Sequence, residues 1–236
     1  MREDEKPSVE APPPSPEVRA ILDAAEPFFS ILSARRSIRQ FGPAMPPREL
    51  IVRAIEGATY APSGMNKQPW RFVIVASDAV KAEMVARVSH EIETILTLLA
   101  GDEYADKVAE YLRNYATLFR TAPVVINVLY REYGQVIASL LDRSNLKYPD
   151  NQEEAANPAM QSVSAAIQNL QLGAQALGLA TCWMTAPLFA RRQLHELLEV
   201  ESPWQLAAVI PIGYAATPTN QGPRRLRLDR VMRWIE

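Results

Sequence analysis

The chain alternates between stretches in which apolar residues recur every three or four positions and short stretches of nearly continuous apolar residues. The first pattern predicts helices at residues 48–59 and 157–177. The second predicts buried strands at residues 71–76, 124–130 and 206–212, which are short and rich in β-branched side chains. Few strands separated by long helical segments predict an α+β or α/β sandwich, with helices around a sheet.

Proline and capping residues mark where several predicted helices begin and end. The first helix is expected to begin near Pro16 and to be interrupted at Pro27. Asp78 is the expected N-cap of a helix that runs to about Leu99, and Asn157 is the expected N-cap of the helix at residues 157–177. That last helix has little polar surface, so we expect it to be central or shared with a partner subunit. The other predicted elements are two helices and one short strand, at residues 103–120, 187–200 and 180–184.

Composition and charge are those of an ordinary globular protein. Of the 236 residues, 48% are hydrophobic and 22% are charged, which is enough to bury a sizeable core. The formal net charge of −2 gives no electrostatic case for nucleic-acid binding. The apolar runs are too short for a membrane span, and residues 1–10 lack the apolar region of a secretory signal.

Cysteine and histidine are scarce. The single cysteine, Cys182, excludes an internal disulfide framework and fits a reducing cytoplasm. The two histidines, His90 and His195, lie far apart in the sequence. A metal site built from His and Cys is therefore not expected.

The domain organisation predicted from composition is simple. Residues 1–16 are polar and proline-rich, so we expect a disordered or loosely attached tail followed by one domain over residues 17–236. No Gly-x-Gly-x-x-Gly fingerprint, Walker loop or Gly-x-Ser-x-Gly elbow occurs in the sequence. If the protein is an enzyme, a cofactor is expected to carry the chemistry.

The stretch from Arg35 to Phe41, Arg-Arg-Ser-Ile-Arg-Gln-Phe, is the strongest candidate for binding chemistry. It places three guanidinium groups and a hydroxyl group within five residues. A planar guanidinium suits phosphate and flat heterocycles that carry oxygen. The alternative is a solvated helix end, at which the helix dipole favours arginine.

This stretch is the first of four segments whose order is informative. They are residues 35–41, 61–72 (Ala-Pro-Ser-Gly-Met-Asn-Lys-Gln-Pro-Trp-Arg-Phe), 178–184 (Gly-Leu-Ala-Thr-Cys-Trp-Met) and 212–214 (Ile-Gly-Tyr). The ordered set resembles the nitroreductase family of FMN-dependent oxidoreductases. The resemblance extends from about residue 30 to the C-terminus.

The resemblance implies a fold, an assembly and a reductant. The fold is α+β, a three-layer α/β/α sandwich with a central mixed sheet of four or five strands. The assembly is a domain-sharing homodimer with two FMN sites at its interface, in which residues 214–236 extend onto the partner subunit. NADH or NADPH would reduce the flavin as a visiting substrate, which explains the missing dinucleotide fingerprint.

The resemblance also implies which residues contact FMN. Arg35 and Ser37 match contacts to the phosphate and the ribityl chain, and Arg36 belongs to the same set. Arg39 matches a basic residue near the flavin N1–C2 carbonyl edge, where a cation would stabilise negative charge on reduced flavin. Arg225 matches a C-terminal phosphate contact. Arg227 is its substitute if the alignment is shifted.

Other implied cofactor contacts come from loops and from one helix. The opposite subunit would supply a loop that lies against the ring, and the remaining contacts would meet the pyrimidine edge or flavin N5. Asn66 is expected to shape the loop more than to touch the ring. The loop consists of Pro62, Ser63, Gly64 and Asn66. The residue at the pyrimidine edge is Asn114, and those at flavin N5 are Trp183, Met184 and Thr185.

Several of these residues have an ordinary structural interpretation. Trp183 and Met184 fit a protein core, and Cys182 fits a buried small hydrophobic residue better than a redox thiol. Three tyrosines of one predicted helix fit either helix packing or the entrance for the substrate. These are Tyr104, Tyr111 and Tyr115.

The function that the resemblance implies is NAD(P)H-dependent reduction of nitroaromatics, quinones or similar acceptors. One alternative is a reductive dehalogenase similar to iodotyrosine deiodinase, which Thr121-Ala122-Pro123 and Thr185-x-Pro187 favour. The lysine by which that branch holds its substrate falls at Ala116 here. Less supported alternatives are a flavin-fragmenting enzyme of the vitamin-B12 lower-ligand pathway, a non-catalytic FMN-storage protein and a structural dimer with a decayed site.

Overall fold

The computed structural model describes residues 14–133, 143–146, 157–217 and 222–235. The chain divides into two compact units, and the second begins at Arg35. The described part of the first unit is chiefly helix α1 (Pro16–Ala34), which has no buried residue. The expected interruption at Pro27 is wrong, because α1 continues through it. Proline there removes one backbone hydrogen bond without ending the helix.

The second unit contains five α-helices and four strands among its described elements. The helices are α2 (Arg48–Thr59), α3 (Asp78–Leu98), α4 (Glu103–Ala116), α5 (Pro158–Ala176) and α6 (Arg191–Leu197). The strands are β1 (Trp70–Val75), β2 (Val124–Arg131), β3 (Ala180–Thr181) and β4 (Trp204–Gly213). None of the described helices combines the length and apolarity that a membrane crossing needs.

The four strands form one sheet in the order β1-β2-β4-β3, and each adjacent pair is antiparallel. Trp70 lies opposite Tyr130 at one end of β2, and Val124 lies opposite Ile212 at the other. The predicted mixed sheet has one parallel contact in the described chain, an isolated bridge between Ser37 and Thr181.

Helices cover both faces of this sheet. Successive residues of β2 alternate between two buried clusters, as the two-residue period of a strand requires. Val163 and Ile167 of α5 lie in the first cluster, and Met84 and Val88 of α3 lie in the second. The α+β class and the three layers predicted from the sequence are therefore confirmed.

Several predicted element ends move by a few residues. Ser77 caps α3 in place of Asp78, since its extended backbone lets the hydroxyl group accept from the Val80 N–H. Asn157 does cap α5, and its side chain accepts from the Met160 N–H at 2.8 Å. The predicted helix 103–120 divides into α4 and the 3₁₀ turn Leu118–Thr121. The predicted helix 187–200 divides into the 3₁₀ turn Ala186–Ala190 and α6.

Candidate functional site

Arginine side chains surround a cavity of about 310 Å³ at one end of the sheet. The cavity brings residues 35–39 together with a C-terminal segment almost two hundred positions later in the chain. The residues that line it are Arg35, Arg36, Ser37, Arg39, Gly222, Pro223 and Arg225. Five of the residues predicted to bind a cofactor therefore share one cavity.

The sheet edge holds the backbone of this arginine segment. Ser37 forms the parallel bridge with Thr181, and the Ile38 N–H donates to the Thr181 carbonyl oxygen at 3.0 Å. Beneath it, Nε2 of Gln171 donates to Oγ1 of Thr181 at 3.3 Å, and both side chains are buried. The segment is thus fixed to β3 by backbone pairing, and the Gln171 side chain of α5 supports β3 at the same residue.

The cavity concentrates positive charge. Burial lowers the pKa of Arg35, and the charges of Arg225 and Arg36 lower it further. Gly222 lies so close to the segment that a Cβ atom there would collide with Nε of Arg36. Cationic groups held this close repel one another, so an anion between them would stabilise the arrangement. A phosphate group matches this donor set.

Arg39 points toward helix α4 from the same segment. Its Nη1 donates to the Ser37 carbonyl oxygen at 3.3 Å, and its guanidinium carbon lies 5.7 Å from the ring centroid of Tyr115. Tyr115 stacks on Tyr111 with ring centroids 5.0 Å apart and an interplanar angle of 20°. One of the three predicted tyrosines, Tyr115, therefore adjoins Arg39, and a second, Tyr111, stacks on it.

The remaining predicted residues of α4 face solvent. Tyr104 is 75% exposed. Asn114, predicted to meet the pyrimidine edge, is exposed one position before Tyr115. Their positions leave both side chains accessible to a ligand without fixing a contact.

The segment after β3 separates into a buried and an exposed part. Cys182 is buried, and burial raises the pKa of its thiol despite the opposing charges of Arg39 and Arg35. Met184 lies in the core, and its backbone exchanges two hydrogen bonds with Val209. Trp183 is half-buried, and Thr185 is exposed. Among the three predicted N5 contacts, Thr185 is the most accessible.

The loop over residues 62–68 has an unusual backbone. Met65, Asn66 and Gln68 have φ angles of 51°, 53° and 44°, in the left-handed region that favours glycine. Oγ of Ser63 accepts from the Gln68 N–H at 3.0 Å and so closes the loop. Strained backbone of this kind clusters at functional sites. Pro62 leads into the loop and is exposed, as is Asn66.

The chain does not bring this loop to the arginine cavity. The loop leads into β1 at Trp70, and the carbonyl oxygen of Pro69 accepts from the Arg131 N–H, at the end of β2. The Arg39 carbonyl oxygen instead accepts from the Thr121 hydroxyl, near the start of β2. The eight residues of β2 separate the two groups by roughly 24 Å.

The C-terminal arginines have different surroundings. Arg225 lines the cavity, whereas Arg227 forms an ion pair with Asp229 at 3.0 Å. The structure therefore favours Arg225 over Arg227 as an anion contact. Sequence reasoning missed Gly222, whose absent side chain leaves room for Arg36.

Size alone does not identify the functional site. Two larger cavities, of about 570 and 520 Å³, adjoin Trp204, and none of the predicted site residues lines either of them. Within the part of the chain that the structure describes, no three His, Cys, Asp or Glu side chains are grouped as a metal site requires.

Sequence comparison places most of this chain within a known group. Residues 32–214 match the sequence model of the nitroreductase family. Iodotyrosine deiodinase from Danio rerio is 28% identical over 216 residues, which cover 91% of this chain and 69% of that protein.

Solved structures share the architecture. A BluB-like flavoprotein from Clostridium difficile 630 has a TM-score of 0.81 at 24% identity, over 88% of this chain and 98% of its own. A nitroreductase with bound FMN from Desulfitobacterium hafniense DCB-2 has a TM-score of 0.63 at 22% identity, over 89% and 98%. These similarities confirm the predicted nitroreductase-like fold.

Proposed function

Because the chain belongs to the nitroreductase family, we propose that it is an FMN-dependent oxidoreductase. It uses NADH or NADPH to reduce nitroaromatics, quinones or similar acceptors, in a ping-pong cycle of two-electron steps. The observation that carries the proposal is the arginine cavity, whose crowded cations suit the phosphate group of FMN. Bound FMN supplies hydride acceptance and delivery at N5.

Arg35, Arg36 and Arg225 would hold the phosphate group, and Ser37 would contact the ribityl chain. Their guanidinium groups offer several N–H donors to the phosphate oxygens. The cavity volume of about 310 Å³ is at the lower end for ligand sites. It therefore accommodates one part of the cofactor, and other residues must cover the rest.

Arg39 would stabilise the negative charge that reduced flavin carries near N1 and C2. Its hydrogen bond to the Ser37 carbonyl oxygen and its contact with Tyr115 orient the guanidinium group. A preoriented cation lowers the cost of hydride acceptance because it needs no rearrangement during the step. Thr185 would meet N5 with its hydroxyl group or backbone N–H, beside Trp183 and Met184.

A second copy of the chain would complete the site. The loop with Pro62, Ser63, Gly64 and Asn66 lies roughly 24 Å from the arginine cavity along β2, so one chain cannot enclose one flavin with both. In a homodimer with two-fold symmetry, each arginine cavity can meet the loop of the partner.

The edge of the sheet and the C-terminal segment support the same assembly. Strand β1 lies at one edge of the sheet, and an unpaired edge is a template for a further strand. Leu226, Leu228 and Trp234 are exposed apolar residues in the segment after Gly222. We propose that residues 214–236 extend onto the partner subunit. Residues 218–221 and 236 of this extension lie outside the described residues.

Nitro reduction would proceed by two balanced steps. In the first, NAD(P)H and one proton convert the nitro group to a nitroso group and water. In the second, another NAD(P)H and proton convert the nitroso group to a hydroxylamine. Protons would come from water. Tyr104, Tyr111 and Tyr115 would line the approach to the flavin, where an aromatic acceptor can stack on a tyrosine ring. Asn114 would meet the pyrimidine edge of the flavin.

Reductive dehalogenation is the second candidate function, and the 28% identity to a deiodinase favours it. The exposed hydroxyl group of Thr185 is compatible with that chemistry. Ala116 stands where that branch has its lysine and is 1% exposed, so nothing there can contact an amino-acid substrate. The dehalogenase proposal therefore ranks second.

Anaerobic stopped-flow spectroscopy of the purified protein tests both candidates. Mixing with NADH or NADPH should bleach the flavin absorbance, and a nitroaromatic or a quinone should restore it. Restoration by a halotyrosine alone would favour the second candidate. Failure of both nucleotides to bleach the flavin would contradict the proposed activity and favour an FMN-storage protein.

A further inference from the structure

Tyr133 lies between helix α5 and the loop over residues 62–68. Its hydroxyl oxygen is 3.3 Å from Oγ of Ser162, a side chain that is 7% exposed. Oγ of Ser162 in turn donates to the Pro158 carbonyl oxygen at 2.7 Å. A hydroxyl group has a single proton to donate. Ser162 therefore acts as the acceptor toward Tyr133, and the direction of this hydrogen-bond chain is fixed.

The hydroxyl oxygen of Tyr133 also occupies the space where a side chain at Gly64 would lie. A Cβ atom added to Gly64 would be 2.9 Å from that oxygen. It would be 3.5 Å from Cε2 and 3.6 Å from Cζ of the same ring, which is ordinary van der Waals contact. Removing the hydroxyl oxygen alone would therefore make room for a methyl group.

The backbone of Gly64 does not itself require glycine. The glycines with positive φ in the described chain are Gly101 and Gly178, so Gly64 is outside the left-handed region. The nearby residues Met65, Asn66 and Gln68 do have positive φ. Such strain persists only where surrounding contacts determine the backbone. Tyr133 supplies one such contact from outside the loop.

We propose that Tyr133 is a positioning residue for the loop of residues 62–68, and that Gly64 lacks a side chain in order to admit the Tyr133 hydroxyl group. This deepens the proposed function and rests on it, because that loop is the part of the flavin site contributed to the partner subunit. Glycine at position 64 would then be needed to make room for the Tyr133 hydroxyl group and not for the flavin ring.

A double-mutant cycle in the full-length protein tests the inference. The variants are Gly64→Ala, Tyr133→Phe and the double variant, and the readouts are FMN dissociation constant and unfolding temperature. We expect Gly64→Ala to weaken FMN binding by about tenfold, since contacting residues couple to this extent. The double variant should bind within about threefold of Tyr133→Phe, because the clashing oxygen is gone.

The control is Tyr130→Phe, combined with Gly64→Ala. The Tyr130 hydroxyl group donates to Gln205 at the same end of the sheet, and the atoms nearest a Cβ atom at Gly64 belong to Tyr133 instead. It should therefore give no rescue. The proposal is overturned if the Tyr133 double variant binds FMN as weakly as Gly64→Ala, since Gly64 would then serve the flavin directly.

Two further outcomes separate this inference from the proposed function. Coupling that appears in unfolding temperature while all variants bind FMN equally would overturn the positioning role and leave a packing contact. If the wild-type protein does not bind FMN, the proposed function fails. The unfolding cycle then still tests whether the Tyr133 hydroxyl group excludes a side chain at Gly64, and additive effects there would overturn that part as well.

Discussion

The backbone N–H of Leu206 donates to Nε2 of His195 at 3.0 Å. Strand β3 pairs only with the far end of β4, at Ile212 and Gly213. The imidazole therefore supplies an acceptor to a part of β4 that β3 does not reach. Only a neutral imidazole can accept at Nε2. Burial lowers the pKa of His195, and the charge of Arg191 lowers it further.

Acid should destabilise the protein through this histidine. A lowered folded-state pKa means that the stabilising contribution is complete above the unfolded value of about 6.5 and is lost as the pH falls toward the folded value. We expect the unfolding temperature to fall between about pH 7 and pH 5. His195→Gln keeps an acceptor without titrating, so its profile should be flatter. The control is His90→Gln, at an exposed position, which should keep the wild-type slope; parallel profiles for all three proteins would contradict the role of His195.

Replacing a cavity arginine should weaken binding of FMN but not of riboflavin, which lacks the phosphate group. Arg35→Gln and Arg225→Gln each remove charged donors from the cavity. A hydrogen bond to a charged group contributes about 1.5–3 kcal/mol, so we expect roughly 10- to 100-fold weaker binding of FMN. Fluorescence titration with both flavins measures this difference. Arg227→Gln is the matched control, since Arg227 pairs with Asp229, and equal losses for FMN and riboflavin would argue against a phosphate site.

Replacing Arg39 should slow reduction of the flavin more than it weakens binding of the FMN phosphate group. Arg39→Ala removes the cation proposed to stabilise reduced flavin. We therefore expect about 100-fold slower reduction by NAD(P)H, the lower end of such effects, and a more negative midpoint potential. Anaerobic stopped-flow kinetics and redox titration measure both quantities. Arg192→Ala, at an exposed position of α6, should leave both unchanged. If Arg39→Ala kept the wild-type flavin content and reduction rate, residues 35–39 would be better explained as a solvated helix end.

Mixed dimers should recover a site that neither variant forms alone. One variant carries Arg35→Gln and Arg39→Ala, and the other carries Gly64→Phe, which fills the space of the Tyr133 hydroxyl group. In a heterodimer, one site is doubly defective and the other is intact. Dual-tag purification should therefore yield heterodimers with about one FMN each, while both homodimers bind little. Heterodimers without FMN would mean that the two halves do not meet across an interface.

Local sequence signals identified most elements because their causes are local. The period of apolar residues identified α2 and α5, and Asn157 caps the latter as expected. The errors arose where several local signals compete. Ser77 and Asp78 can both cap α3, and Pro27 suggests an interruption that the helix does not show.

The arrangement of the candidate site was less accessible from the sequence. The arginine segment and the three segments that follow it in order could be identified by resemblance. The distances between these segments depend on tertiary pairing. The bridge between Ser37 and Thr181 brings together positions separated by most of the domain. The contact between Gly64 and Tyr133 has no local signal in the sequence either. Glycine in a loop commonly indicates positive φ, but Gly64 does not have positive φ.

In the proposed dimer, the position of the arginine segment and the 62–68 loop at opposite ends of β2 would couple cofactor retention to protein concentration. If each flavin needs one half from each subunit, FMN binding and subunit association are thermodynamically linked. Dilution would then release the cofactor together with the partner, and free FMN would drive reassociation. The cellular abundance of the protein would set the fraction that carries flavin, a dependence that a site enclosed by one chain would not have.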